Sequence, residues 1–68
     1  MSVWKRVYET QVMYRAQMVK DLLEEQEIPA LVVNKQNSPY LLGNLEVHVP
    51  SDYTLRAIHF INEEITFE

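Results

Sequence analysis

The stretch Leu45-Glu46-Val47-His48-Val49-Pro50-Ser51-Asp52 constrains this chain more than any other. Leu45, Val47 and Val49 alternate with Glu46 and His48, the period of a strand that buries one face. Pro50 has no N–H to give to a sheet ladder and ends the strand. Ser51 or Asp52 then stands where a side-chain oxygen can accept a hydrogen bond from an unpaired N–H at a helix start. A strand, its end and a helix start fall within one short segment, which by itself specifies no reaction.

The rest of the chain has to supply partners for that strand within 68 residues. This length predicts a single domain over residues 1–68, with a small core and little stability to spare. There is no cysteine, so neither a disulfide nor a thiolate metal site can staple it. Association with a further chain is the expected source of extra buried surface, which predicts a homo-oligomer. Six Lys and Arg stand against ten Asp and Glu, a formal charge of −4. That balance argues against nucleic acid, whose phosphates select clustered positive charge. No apolar run reaches membrane-spanning length, and the first residues lack a basic-then-apolar signal pattern. A soluble cytoplasmic protein with no membrane contact is expected. One glycine and three prolines argue against disorder.

In chain order, residues 3–8 read as a first strand rich in β-branched and aromatic side chains. Val3, Lys5 and Val7 share one face and Trp4, Arg6 and Tyr8 the other, with Val7 favoured as the inward residue. Thr10 is placed to cap a helix over residues 11–26. Val12, Ala16, Val19 and Leu23 form its apolar stripe, Leu22 widens it, and Met13 and Met18 flank it as adaptable filler. Arg15, Lys20, Asp21, Glu24 and Glu25 point outward. Glu24, Glu25 and Glu27 make an acidic end that is either simply solvated or a contact for a basic partner. Residues 28–34 are a second strand, placed at an edge by Pro29. Leu31, Val32 and Val33 leave it no polar face. Residues 35–44 connect it to the central strand through two turns, and Tyr40, Leu41 and Leu42 between them are unusually apolar for a loop. A second helix over residues 52–64 is expected to bury Leu55, Ile58 and Ile61, a stripe that Ile65 can extend, with Ala57 allowing close approach and Tyr53 and Phe60 on a neighbouring side. Residues 65–67 are either a short last strand or a frayed tail.

The order strand, helix, strand, strand, helix predicts an α+β fold. The first helix is a crossover between parallel strands, and the third strand inserts between them antiparallel, giving a split β-α-β of ferredoxin-like type. Both helices lie on one face of the sheet and the other face has no helical cover.

Val7-Tyr8, Ala16, Leu22-Leu23-Glu24, Ile28-Pro29-Ala30, Asn34, Val47-x-Val49-Pro50, Asp52 and Ala57 together resemble a small bacterial family described as putative prokaryotic signal-transducing proteins. The resemblance covers nearly the whole chain and implies a ferredoxin-like fold related to the PII signalling proteins. PII proteins form trimers and meet partners through the loop between the second and third strands. Gln26-Glu27 stand here where the family often has a glycine. The long PII loop and its nucleotide-binding residues are not matched, so no cofactor is carried over.

For chemistry, His48 and Glu46 share the polar side of the central strand. They suit a proton-transfer pair or two metal ligands, but nothing nearby completes a metal set, and a polar pair on a half-wet sheet is the plainer reading. His59 reads as a surface histidine. Ser38 and Ser51 lack a nucleophile context and Gly43 alone makes no phosphate loop, so no enzyme is expected. Trp4, Arg6 and Tyr8, with His48, are the candidate sheet-face interface. The same row would suit base stacking, which makes single-stranded RNA binding one rival reading, and a structural module for self-association alone is the other. Tyr40, Leu41 and Leu42 are the candidate partner-binding element, unless they fold onto the domain's own sheet edge. The function so predicted is a regulatory or adaptor domain that binds an unidentified protein or small molecule.

Overall fold

The computed structural model describes residues 3–36 and 44–65; Tyr40, Leu41, Leu42, Thr66 and Phe67 lie outside them. The elements are β1 (Trp4–Thr10), α1 (Met13–Glu25), β2 (Leu31–Asn34), β3 (Leu45–Pro50), a 3₁₀ turn (Ser51–Tyr53) and α2 (Thr54–Glu64). β3 lies between β1 and β2, antiparallel to both. β1 and β2 are therefore parallel, with α1 as their crossover. The α+β, ferredoxin-like arrangement expected from the pattern is the one the chain adopts.

Leu45, Val47 and Val49 of β3 are buried beneath Ala16, Val19 and Leu23 of α1 and Ala57 and Ile61 of α2, so both helices cover the same face. β2 starts at Leu31, later than expected. Ile28 and Ala30 precede the ladder and are buried in the core instead. β2 is an edge strand, as Pro29 implied. The Lys35 N–H donates to the Asn44 carbonyl at 2.9 Å and ties the two ends of the 35–44 connection together.

β1 corrects the sequence reading. Arg6 faces His48 and Tyr8 faces Val47, leaving Val7 as the extra residue of a β-bulge. A bulge advances the strand by one residue without a partner, so side chains beyond it change face. Val7 packs against the core as expected, and Tyr8 joins it there instead of lining up with Trp4 and Arg6. Glu9 now sits opposite Glu46.

α1 begins later than Thr10 suggested. The Thr10 hydroxyl accepts the Val12 N–H at 3.1 Å, a local turn that ends β1. The N-cap position falls on Val12, whose extended backbone leaves its side chain exposed and out of the buried stripe. Met13 is likewise half exposed, so the stripe is Ala16, Val19 and Leu23.

At the other end, the Ile28 N–H donates to the Leu23 carbonyl and the Glu27 N–H to the Glu24 carbonyl, both at 3.0 Å. These two bonds form a Schellman motif, with the apolar pair Leu23 and Ile28 closing it. The motif needs a left-handed residue, and that residue is Glu27 at φ 63°. A side chain there crowds the following carbonyl, a cost glycine avoids. Glu27→Gly is therefore expected to stabilise the fold by about 1 kcal/mol, read as a higher urea midpoint at constant slope. A lowered midpoint would show that the Glu27 side chain contributes more than its backbone costs.

α2 buries Ala57 and Ile61 as expected, but it is rotated so that Leu55 and Ile58 miss the sheet. Tyr53, Ala57, Ile61 and Ile65, a row spaced by four, pack on the core, with Phe60 beside them. Leu55 is 85% exposed and Ile58 38%. The i, i+3 row containing Leu55 and Ile58 is the more apolar, but only the row with Ala57 lets the helix axis come close to the strands. Neither Ser51 nor Asp52 supplies a side-chain cap. The Ser51 N–H is spent on the Val3 carbonyl and the Thr54 hydroxyl donates to the Ser51 carbonyl at 2.9 Å, which stabilises a 3₁₀ turn before the α-helix.

Candidate functional site

The helix-free face of the sheet gathers a connected set of paired charges. Alternation along β3 points Glu46 and His48 there, opposite in sense to Leu45, Val47 and Val49. Arg6 is opposite His48 and Glu9 opposite Glu46, so β1 adds a cation and a second carboxylate. β2 contributes Leu31 beside His48 and Val33 beside Glu46. Trp4, opposite Pro50, lies exposed at one end of the row.

These side chains form one connected set. His48 Nε2 lies 2.9 Å from Glu46 Oε1. Arg6 Nη1 donates to Glu46 Oε2 at 3.3 Å and stands 3.5 Å from Glu9 Oε2. Both oxygens of Glu46 are thus occupied by protein partners. Glu46 itself is buried, at 9% exposure, although it sits on the face without helices. The hydrogen bond from His48 holds its carboxyl below the ordinary value of 4.5, with the Arg6 hydrogen bond and the Lys35 and Arg6 charges adding to it and burial opposing. With Glu46 ionised, the shared proton of the pair belongs to His48 Nε2. Arg6 is more than half exposed, so its pairs orient the side chain more than they stabilise the fold.

Chemically, this is a positioned charge cluster bordered by apolar residues. The Glu46 carboxylate is committed on both oxygens, which suits recognition more than proton transfer. Among the described residues, no group of three or more His, Asp or Glu side chains is arranged to hold a metal ion. Of the candidates read from the sequence, Trp4, Arg6 and His48 share this face, Tyr8 is turned to the other, and Tyr40, Leu41 and Leu42 fall outside the described residues. Glu9 was missed. The available signal was the adjacent apolar pair Val7-Tyr8 followed by Glu9, which breaks strict alternation where a bulge can restore it.

His59 is exposed, as expected for a surface histidine. It borders a cleft with Arg56, Phe60, Glu63 and Ile28. Arg56 donates to the Gln26 carbonyl at 3.0 Å and so helps close the C-terminal end of α1.

Fold and surface together define a small ferredoxin-like α+β module with one charged, helix-free sheet face. The chain belongs to the family described as putative prokaryotic signal transducing protein, whose model matches residues 4–63. No curated protein and no solved structure matches it. Among the described residues, no helix is long and apolar enough to cross a membrane.

Proposed function

We propose that this chain is a cytoplasmic, non-catalytic regulatory or adaptor domain, and that it works by binding through the helix-free sheet face, first of all to a second copy of itself. The family description supports the signalling role in outline. The observation that carries the surface assignment is the Arg6–Glu46–His48 cluster, held in place by hydrogen bonds and bordered by Trp4, Leu31 and Val33. A positioned charge set with an apolar border gives a contact both register and buried area. RNA binding loses support on the same face, because Tyr8 points into the core and Trp4 is left without an aromatic neighbour on β1.

Light scattering on the wild type and on Trp4→Glu tests the proposal. The wild type is expected above the 8.1 kDa of one chain, and the variant at that mass with an unchanged circular dichroism spectrum. A wild type that stays monomeric at high concentration overturns self-association.

A further inference from the structure

We infer that the outward side of α1 is a docking groove for a basic amphipathic helix of a partner protein. Two rows of side chains, each stepping by four, run along this side. One is Tyr14, Met18 and Leu22; the other is Met13, Gln17, Asp21 and Glu25, and a shallow, open groove lies between them. Met13 is 51% exposed and Tyr14 62%. The buried residues of α1 are Ala16, Val19 and Leu23 on its opposite side, so the fold gives no reason for methionine, tyrosine and leucine to gather here. Rows spaced by four are the ridges into which a second helix packs. Met13 and Met18 bring unbranched, polarizable side chains that adapt to a partner's shape.

Charge selects the occupant. Among the described residues, the groove's ionisable linings besides Tyr14 are Asp21 and Glu25, both toward the C-terminal end of α1, where the helix dipole is also negative. Lys20, on the same helix, is already paired with Glu24 at 2.9 Å and does not line the groove. A second copy of α1 would set acid against acid if parallel. If antiparallel, it would set Asp21 and Glu25 against Met13, Tyr14 and Gln17, which carry no positive charge. A helix with an apolar stripe and Lys or Arg toward one end satisfies both halves of the groove. This surface lies on the helix side of the sheet, so it stands independently of the sheet-face proposal and would give an adaptor its second contact.

The probe is a synthetic peptide of about 18 residues with leucine and lysine at helical spacing, long enough to hold a helix once bound. It is titrated into the isotope-labelled full chain and followed by amide chemical shifts. Saturable binding is expected, with shifts concentrated in residues 13–25. Asp21→Lys/Glu25→Lys should weaken it by about tenfold or more, and Met13→Ala/Tyr14→Ala should weaken it at unchanged charge. All four positions are exposed, so the variants should fold as the wild type does, which circular dichroism checks. Trp4→Glu should bind the peptide as the wild type does. The inference is overturned if a scrambled peptide of the same composition binds equally well, if shifts centre on the strands, or if no saturation is reached.

Discussion

Leu23→Ala is expected to remove about 2–5 kcal/mol of unfolding free energy, and Ile58→Ala about 1 kcal/mol or less. Leu23 is fully buried, packs among Ala16, Val19 and Ile28, and supplies a carbonyl to the Schellman motif that turns the chain into β2. Its truncation leaves a cavity where α1 and the start of β2 meet. A domain of this size holds roughly 3–10 kcal/mol in total, so Leu23→Ala removes a large share of it. Ile58 already meets water over 38% of its surface and loses little on truncation. Urea unfolding of the two variants separates them. Equal midpoints would mean that α2 presents the Leu55–Ile58 side to the sheet after all.

Acid is expected to destabilise the fold through Glu46. Its folded-state pKa is lowered, chiefly by the His48 hydrogen bond, from an ordinary value of 4.5. The unfolded chain then binds the proton more readily than the folded one. The stabilisation is present in full above pH 4.5 and disappears as pH falls from there through the folded-state value. Glu46→Gln keeps a hydrogen-bonding side chain in place but removes the titration. Its urea midpoint should therefore fall less than the wild type's as pH is lowered below about 4.5. Parallel pH profiles would show that the Arg6–Glu46–His48 cluster makes no contribution to stability that depends on the Glu46 charge. Raised salt should narrow the difference only in part, because Glu46 is buried although Arg6 is not.

Much of the architecture is legible in the sequence alone. The alternation in residues 45–49 marks the central strand, Pro29 marks an edge, and the long apolar rhythm through Ala16, Val19 and Leu23 marks a crossover helix. These are local properties, and each limits the backbone to one period. The site was half legible. Glu46 and His48 share a face in any regular strand, so their pairing follows from spacing alone. Arg6 also falls on that face by spacing, but Glu9 does not, because strict alternation puts it on the side opposite Arg6.

The sequence by itself determined the order of elements, the central position of β3 and the absence of any covalent staple, since period, proline placement and cysteine count are written residue by residue. Tertiary structure alone decided the bulge at Val7, the face of α2 and the left-handed Glu27. The first two depend on a partner distant along the chain, and the third on how deeply a local contact is buried. The register against β3 turns Tyr8 into the core and brings Arg6 and Glu9 to Glu46. The need for close approach over the strands selects the row through Ala57 over the more apolar Leu55 and Ile58. The burial of Leu23 against Ile28 holds Glu27 at positive φ although it is not a glycine. Local pattern sets which backbone conformations are favourable, and packing between distant elements chooses among side-chain faces that local energies leave nearly equal.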